Sequence, residues 1–167
     1  MTRLTTNFSL EEFMVSSSYP DIAKEMTVND LERYKLFTIA ATILQPVRDN
    51  FDSAMNIHSG KRTAQLNTLI GGSRTTQHVL CEAADWAFAD IEFNKKKLLP
   101  AVAYIRDVLP FNFLQLILYL NEDYSSNFIH VSIHSMDQRK KRKILICHKG
   151  LFYIWEDLFK KALEASL

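Results

Sequence analysis

The sequence predicts an α+β fold, a small antiparallel sheet flanked by helices, and three observations carry that prediction. Helical spacing fills the first third of the chain, helices and strands mix with hairpins afterwards, and no internal repeat, linker or low-complexity tract interrupts them. At 167 residues, 47% of them apolar and 23% charged, the chain suits one domain and excludes wholesale disorder.

Ser9 and Glu12 have the spacing of a capping box, with Phe8 and Phe13 placed as a hydrophobic staple. The short helix they open breaks at Ser16-Ser17-Ser18-Tyr19-Pro20. Asn29 or Thr27 caps a longer helix, whose Leu31, Leu36, Ile39, Ala40, Ile43, Leu44 and Val47 recur at helical spacing. Pro46 is expected to kink it or end its first part. Residues 55–59 read as a short strand before a turn at Gly60, and 64–70 as a helix stopped by Gly71-Gly72. The segment 83–89 is apolar apart from Asp85, a buried strand.

Residues 98–108 read as a helix with Pro100 in its first turn, and 114–120 (LQLILYL) as a central strand. Residues 128–134 alternate, with Ile129, Val131 and Ile133 on one side and Phe128, His130, Ser132 and His134 on the other. A further strand covers 143–147. Residues 151–163 are expected to close the chain as an amphipathic helix, with Leu151, Ile154, Trp155, Leu158, Phe159 and Ala162 on one stripe. The expected division is therefore a domain over 1–150 and a C-terminal helix over 151–167, packed on it or extending from it.

Formal charge is 20 − 19 = +1, which excludes a polyelectrolyte binder acting through the whole molecule. The five consecutive basic residues 139–143 are the local exception, and without them the rest carries −4. A solvated hairpin tip is the plain reading of that run, and contact with an anionic polymer is the other. Two cysteines, Cys81 and Cys147, are too few for a disulfide scaffold or a thiolate-only zinc site. No stretch of about 18 uncharged apolar residues offers a membrane span. The start, MTRLTTNFSLEEF, lacks the apolar run of a secretory signal, so the protein is expected in the cytoplasm of the cell that makes it.

His78, Asp85 and His130 form the set that can carry chemistry. Imidazole nitrogen and carboxylate oxygen are zinc ligands, and three protein ligands with one open position are the catalytic arrangement. The H-x6-D spacing is not a helical pair; it requires His78 on a turn and Asp85 on the strand after it. His130 lies on the polar side of an alternating strand, so its ring can point into a shared cleft. His134 belongs at that strand's exposed end, and His58 and His148 read as ordinary polar residues.

The string SGKRTAQLNTLIGGSRTTQHVLCEAAD, residues 59–85, resembles the core signature of the D-alanyl-D-alanine carboxypeptidase-type zinc peptidases. Those enzymes cut stem or cross-link peptides of bacterial cell walls, and many small members are phage-encoded. The family pattern is S-G-Y-R-S, then L-N, then G-G-S-x-x-S-x-H-x-x-G-x-A-x-D. Ser59, Gly60, Arg62, Leu66, Asn67, Gly71, Gly72, Ser73, His78, Ala83 and Asp85 match it. NFSLEEFMVSS resembles the family's opening helix, ILQPVRDNF its L-Q-P-x-R-D segment and NFIHVSIH its W-x-H-V-S strand. The resemblance implies that His78, Asp85 and His130 bind one zinc in a cleft on the sheet. It also implies that Arg62 holds the substrate's terminal carboxylate, a group its planar fork fits. Gln77, beside the first ligand, can donate a hydrogen bond.

Several positions depart from the pattern. The family glycine after the first histidine is Cys81, and the aromatic of S-G-Y-R-S is Lys61. Cys81 either fills the glycine's place or adds a thiolate ligand. Where members read D-Q-L-I-x-E, the acidic places here are Leu114 and Tyr119; where other branches carry an acid before the last histidine, Asn127 stands. No general base is visible, and Glu82, Glu122 and Asp123 are candidates only by nearness in sequence. Arg62 can alternatively pair with Asp85 and fix a loop. The resemblance implies a zinc peptidase of peptidoglycan, encoded by a phage and carried to the cell wall by a virion or after lysis. The alternative is a structural virion or interaction protein that has lost the base, docking other virion proteins through the C-terminal helix. The basic run 139–143 would then contact wall teichoic acid, nucleic acid or an acidic partner.

Overall fold

A computed structural model describes residues 2–109, 113–121, 126–133 and 143–155. Five helices, α1 (Pro20–Lys24), α2 (Asp30–Ile39), α3 (Gln45–Phe51), α4 (Ala64–Leu69) and α5 (Ile91–Asp107), accompany six strands. The strands are β1 (Met55–Ser59), β2 (Ala83–Phe88), β3 (Phe113–Leu120), β4 (Phe128–Ile133), β5 (Lys143–His148) and β6 (Leu151–Ile154). They form one sheet in the order β1-β2-β4-β3-β5-β6. The α+β class holds, but the sheet is mixed rather than antiparallel, because β5 runs parallel to β3. β4 runs against β3 on one side, and β5 lies on the far side of β3 and runs with it.

Ser9 and Glu12 do form a capping box, over a single 3-10 turn at Leu10–Phe13. Asn29 is the cap of α2: its side chain accepts from Glu32 N, and the Glu32 carboxylate accepts from Asn29 N, both at 2.9 Å. Pro46 neither breaks nor ends the helical path. A π-helical turn, Ala40–Leu44, links α2 to α3, and the wider turn makes room for a ring with no N–H to donate.

Two expectations are corrected. Helix α5 begins at Ile91, seven residues before the expected start at Leu98, because Asp90 caps it by accepting from Phe93 N at 2.7 Å. Pro100 therefore sits inside the helix, on its exposed side, where the carbonyl it leaves unpaired can meet water. Leu151–Ile154 is strand β6, not the start of a helix. Lys149 and Gly150 both adopt positive φ (51° and 75°) between His148 and Leu151, which pair, so a two-residue hairpin decides the conformation. Trp155, which follows β6, is buried in the core, and residues 156–167 of the expected C-terminal helix lie outside the described residues.

The sheet separates a core from a cleft by alternation, broken in β3 by a bulge at 113–115 that turns both Leu114 and Gln115 to the cleft. Ala84, Trp86 and Phe88 of β2, Ile129 and Val131 of β4 and Leu116 and Leu118 of β3 join Leu36, Ile39, Leu44, Val47, Leu98, Val102 and Ile105 from the helices. The residues between them face the other way. Asn94 ties α5 to this core: its side chain accepts from Phe88 N at 2.9 Å and donates to the Asn127 carbonyl at 3.0 Å. Asn94→Ala leaves two buried backbone groups unpaired, and urea unfolding should show a loss of about 2–3 kcal/mol. Among the described residues, no helix is long and apolar enough to cross a membrane.

Candidate metal centre

Three segments meet on the open face of the sheet. His78 lies in a 3-10 turn, Gln77–Leu80, capped by Thr76; Asp85 follows on β2, and His130 on β4 pairs directly with Asp85. The turn-then-strand placement is the one the H-x6-D spacing demands. Two glycines allow the approach. A Cβ on Gly60 would lie 2.6 Å from Phe13, and one on Gly72 would collide with the Asn67 side chain, which donates to the Gly72 and Ser73 carbonyls. The motif's L-N and G-G pieces thus pack on each other, while its S-G piece packs on Phe13 and reaches His78 through the Gly60 carbonyl.

The donor atoms converge. His78 Nε2 is 3.2 Å from Asp85 Oδ1 and 3.3 Å from His130 Nδ1, and His130 Nδ1 is 2.7 Å from Asp85 Oδ1. Ligands about 2.0–2.2 Å from a tetrahedral ion stand roughly 3.3–3.6 Å apart, so the His78–His130 spacing fits, the His78–Asp85 spacing falls just short and the His130–Asp85 spacing needs a small opening. His78 Nδ1 is 2.7 Å from the Gly60 carbonyl, which accepts its proton and leaves Nε2 with its lone pair toward the group. His130 Nε2 is buried without a partner among the described residues, and it carries the ring proton when Nδ1 is a ligand. Two imidazole lone pairs and a carboxylate oxygen in one buried cluster suit a divalent cation.

Asp85 divides its oxygens. Oδ1 faces the histidines, while Oδ2 accepts from Arg62 Nη2 at 2.8 Å; Arg62 Nε in turn donates to Ser59 Oγ at 2.8 Å. Burial opposes ionisation of Asp85, but without a metal, when both imidazoles carry a proton on the nitrogen facing it, the charge of His78 and the hydrogen bonds from His130 and His78 outweigh it. The carboxyl is held far below its ordinary range. Arg62 is accordingly the partner of a ligand, as the loop-fixing reading of this residue had it.

A cleft of about 960 Å³ opens over the centre. Its floor is a grid of cross-strand rows. Asp85, His130, Ile117 and Leu145 form the central row; Phe128, Tyr119, Cys147 and Phe152 the row on one side; Ser132, Gln115 and Lys143 the row on the other. Tyr119 stacks on Phe128 with ring centroids 4.4 Å apart, and Phe152 meets it edge-on. Burial, then the Asp85 charge, pushes the Tyr119 phenol up to about 12, so it donates a hydrogen bond at neutral pH and does not act as a base. Among the described residues lining the cleft, Asp85 is the only carboxylate.

Each departure from the family pattern has a physical counterpart. Cys81 takes the left-handed conformation that a glycine adopts freely, at φ 55°. Burial, then the nearby Glu32 charge, raises its thiol to about 11, and it lies outside the converging donor group. It fills the glycine's place. Asn127 is buried and closes the β3–β4 connection, accepting from Asn121 N at 2.6 Å. Glu82 is turned to the helix side, where it pairs with Lys35 at 2.7 Å, so it is no base for this cleft. Glu122, Asp123, His134 and residues 139–142 of the basic run lie outside the described residues. Gln115, Lys143 and Phe152 were not singled out as site residues; carrying the parity of His130 across to β3 and β5 is the signal that finds the first two.

A family model described as peptidase M15 matches residues 6–132, a span that includes His78, Asp85 and His130. The chain belongs to the peptidase M15 family. This is the family of D-alanyl-D-alanine carboxypeptidase-type zinc peptidases, and the buried His78–Asp85–His130 group is where an M15 peptidase fold can hold its metal. Comparison with curated proteins gives no match.

Proposed function

We propose that this M15 family chain is a zinc peptidase hydrolysing stem or cross-link peptides of bacterial peptidoglycan. The observation that carries the reading is the convergence of His78 Nε2, Asp85 Oδ1 and His130 Nδ1 at ligand-like spacing beneath an open cleft. His78, Asp85 and His130 would hold the zinc, which when bound would supply Lewis-acid activation of an amide carbonyl and of the attacking water. Gly60 fixes the tautomer of His78, Arg62 and Ser59 orient Asp85, and the sheet holds His130 opposite Asp85.

Arg62 and Lys143 give the cleft two cations, which favour a substrate bearing carboxylates, as wall peptides with free D-amino acid termini do. Arg62 contacts such a terminus only while also holding Asp85. No second carboxylate lines the cleft among the described residues, and Glu122 and Asp123 are candidates for the proton-accepting group by nearness in sequence alone. A phage origin, with delivery to the wall by a virion or after lysis, belongs to the same proposal.

Purified muropeptides incubated with the protein should lose a D-amino acid or a cross-link, as followed by mass spectrometry, and a chelator should stop the reaction. No cleavage by zinc-loaded protein would favour the second reading, a virion or interaction protein of peptidase fold. The specific observation behind that reading is the phenol of Tyr119 at a place where relatives carry an acid.

A further inference from the structure

A network of buried charges lies between α2 and the loop after β1, outside the cleft. Lys61 Nζ donates to Glu32 Oε1 at 2.7 Å, and Lys35 Nζ donates to Glu82 Oε1 at 2.7 Å and to the Leu80 carbonyl at 3.2 Å. The side chains of Lys61 and Glu82 are only 10% and 5% exposed. Burial, then the Glu32 charge, raises the Cys81 thiol, so the two positions that depart from the family pattern, 61 and 81, both lie near one carboxylate. Buried pairs of this kind specify geometry strongly, because either partner left alone is an uncompensated charge.

Both ends of the network touch the backbone that holds the ligands. Lys61 stands between Gly60, whose carbonyl takes the His78 Nδ1 proton, and Arg62, whose guanidinium takes Asp85 Oδ2. Its own N–H donates to the Phe13 carbonyl at 2.7 Å, and Arg62 N donates to the His78 carbonyl at 3.1 Å. Glu82 closes the His78 turn through its N–H on the Gln77 carbonyl at 3.0 Å, and its carbonyl accepts from Ile133 N at 2.9 Å.

We propose that Glu32 and Lys61, supported by Lys35 and Glu82, are positioning residues for the metal centre. Helix α2 sets the 60–62 loop and the His78 turn so that His78 presents Nε2, and Asp85 presents Oδ1, to one point. None of the four touches the donor atoms; they act through Gly60, Arg62 and the turn. The inference rests on the reading of His78, Asp85 and His130 as a metal centre.

Two measurements on the full chain test it: zinc affinity by chelator competition, and the His78 tautomer by long-range proton–nitrogen spectra of the metal-free protein. Lys61→Met and Glu32→Gln should each weaken zinc binding by about tenfold or more, the range for partners behind metal ligands, and should replace the single His78 tautomer by a mixture. Lys61→Arg, which keeps the charge, should stay near the wild type. Glu32→Gln retains the side chain's shape, so it decides the matter should Lys61→Met not fold. Variants that lose thermal stability yet keep both zinc affinity and the His78 tautomer would overturn the proposal and leave a purely structural pair. A wild type that binds no zinc overturns the metal reading as well, and its own zinc content tells that failure from the first.

Discussion

Tyr119→Glu should raise the rate of amide hydrolysis by zinc-loaded protein by about a hundredfold or more at neutral pH. A positioned general base is worth about 10²–10⁴ in rate, and the described cleft offers none. Position 119 pairs with Phe128 on the cleft face, two residues along β4 from His130. A carboxylate there lies diagonally across from the ligand, within reach of a water between them. The wild-type phenol is pushed up to about 12 and cannot accept the water's proton at neutral pH. Loss of the Tyr119–Phe128 stack should cost about 0.5–1.5 kcal/mol of stability, which a folded variant can absorb. Tyr119→Gln is the control and should give no gain. A Tyr119→Glu protein that binds zinc without acceleration would mean that the base is already supplied. Glu122→Gln or Asp123→Asn should then abolish activity.

Asp85→Ala and His130→Ala should separate metal binding from folding. Both remove a ligand, so neither should gain stability from zinc, whereas the wild type should gain about 4 kcal/mol at a zinc concentration a thousand times Kd. Without metal they should differ. Asp85→Ala strands the Arg62 guanidinium, whose side chain is 16% exposed, and should lose about 3 kcal/mol in urea unfolding. His130→Ala leaves the Arg62–Asp85 pair intact and should lose less. Equal losses for the two variants would mean that the Arg62 pair contributes nothing to the loop.

The site was more legible in the sequence than the frame that holds it. Alternation over 128–133 placed His130 on the cleft side and Ile129 and Val131 in the core, because a half-buried strand writes its two faces into successive residues. The S-G, L-N and G-G pieces were visible as a motif, though their reason, the close approach of Phe13 to Gly60 and of Asn67 to Gly72, exists only in three dimensions. Arg62 was legible as a residue and ambiguous as a role, since a guanidinium fits a substrate carboxylate and Asp85 equally well.

The frame failed where local signals competed. Leu151, Ile154 and Trp155 fall at helical spacing, but Lys149-Gly150 forms a two-residue turn that returns the chain as β6. In α5 the expected start was set by Pro100 and the Asp90 cap was not read, although a proline on the exposed side of a long helix is tolerated. The parallel β3–β5 pair follows from strand order, which no periodicity encodes. The Glu32–Lys61 pair joins residues far apart in the chain and left only a trace, a lysine and a cysteine where relatives have an aromatic and a glycine.

The central claim is the metal centre, and elemental analysis of zinc per chain, with His78→Ala as the control, tests it most directly. The account predicts about one equivalent in the wild type and none in the variant, whose fold should survive. A folded wild-type protein that takes up no zinc when it is supplied at neutral pH would contradict it.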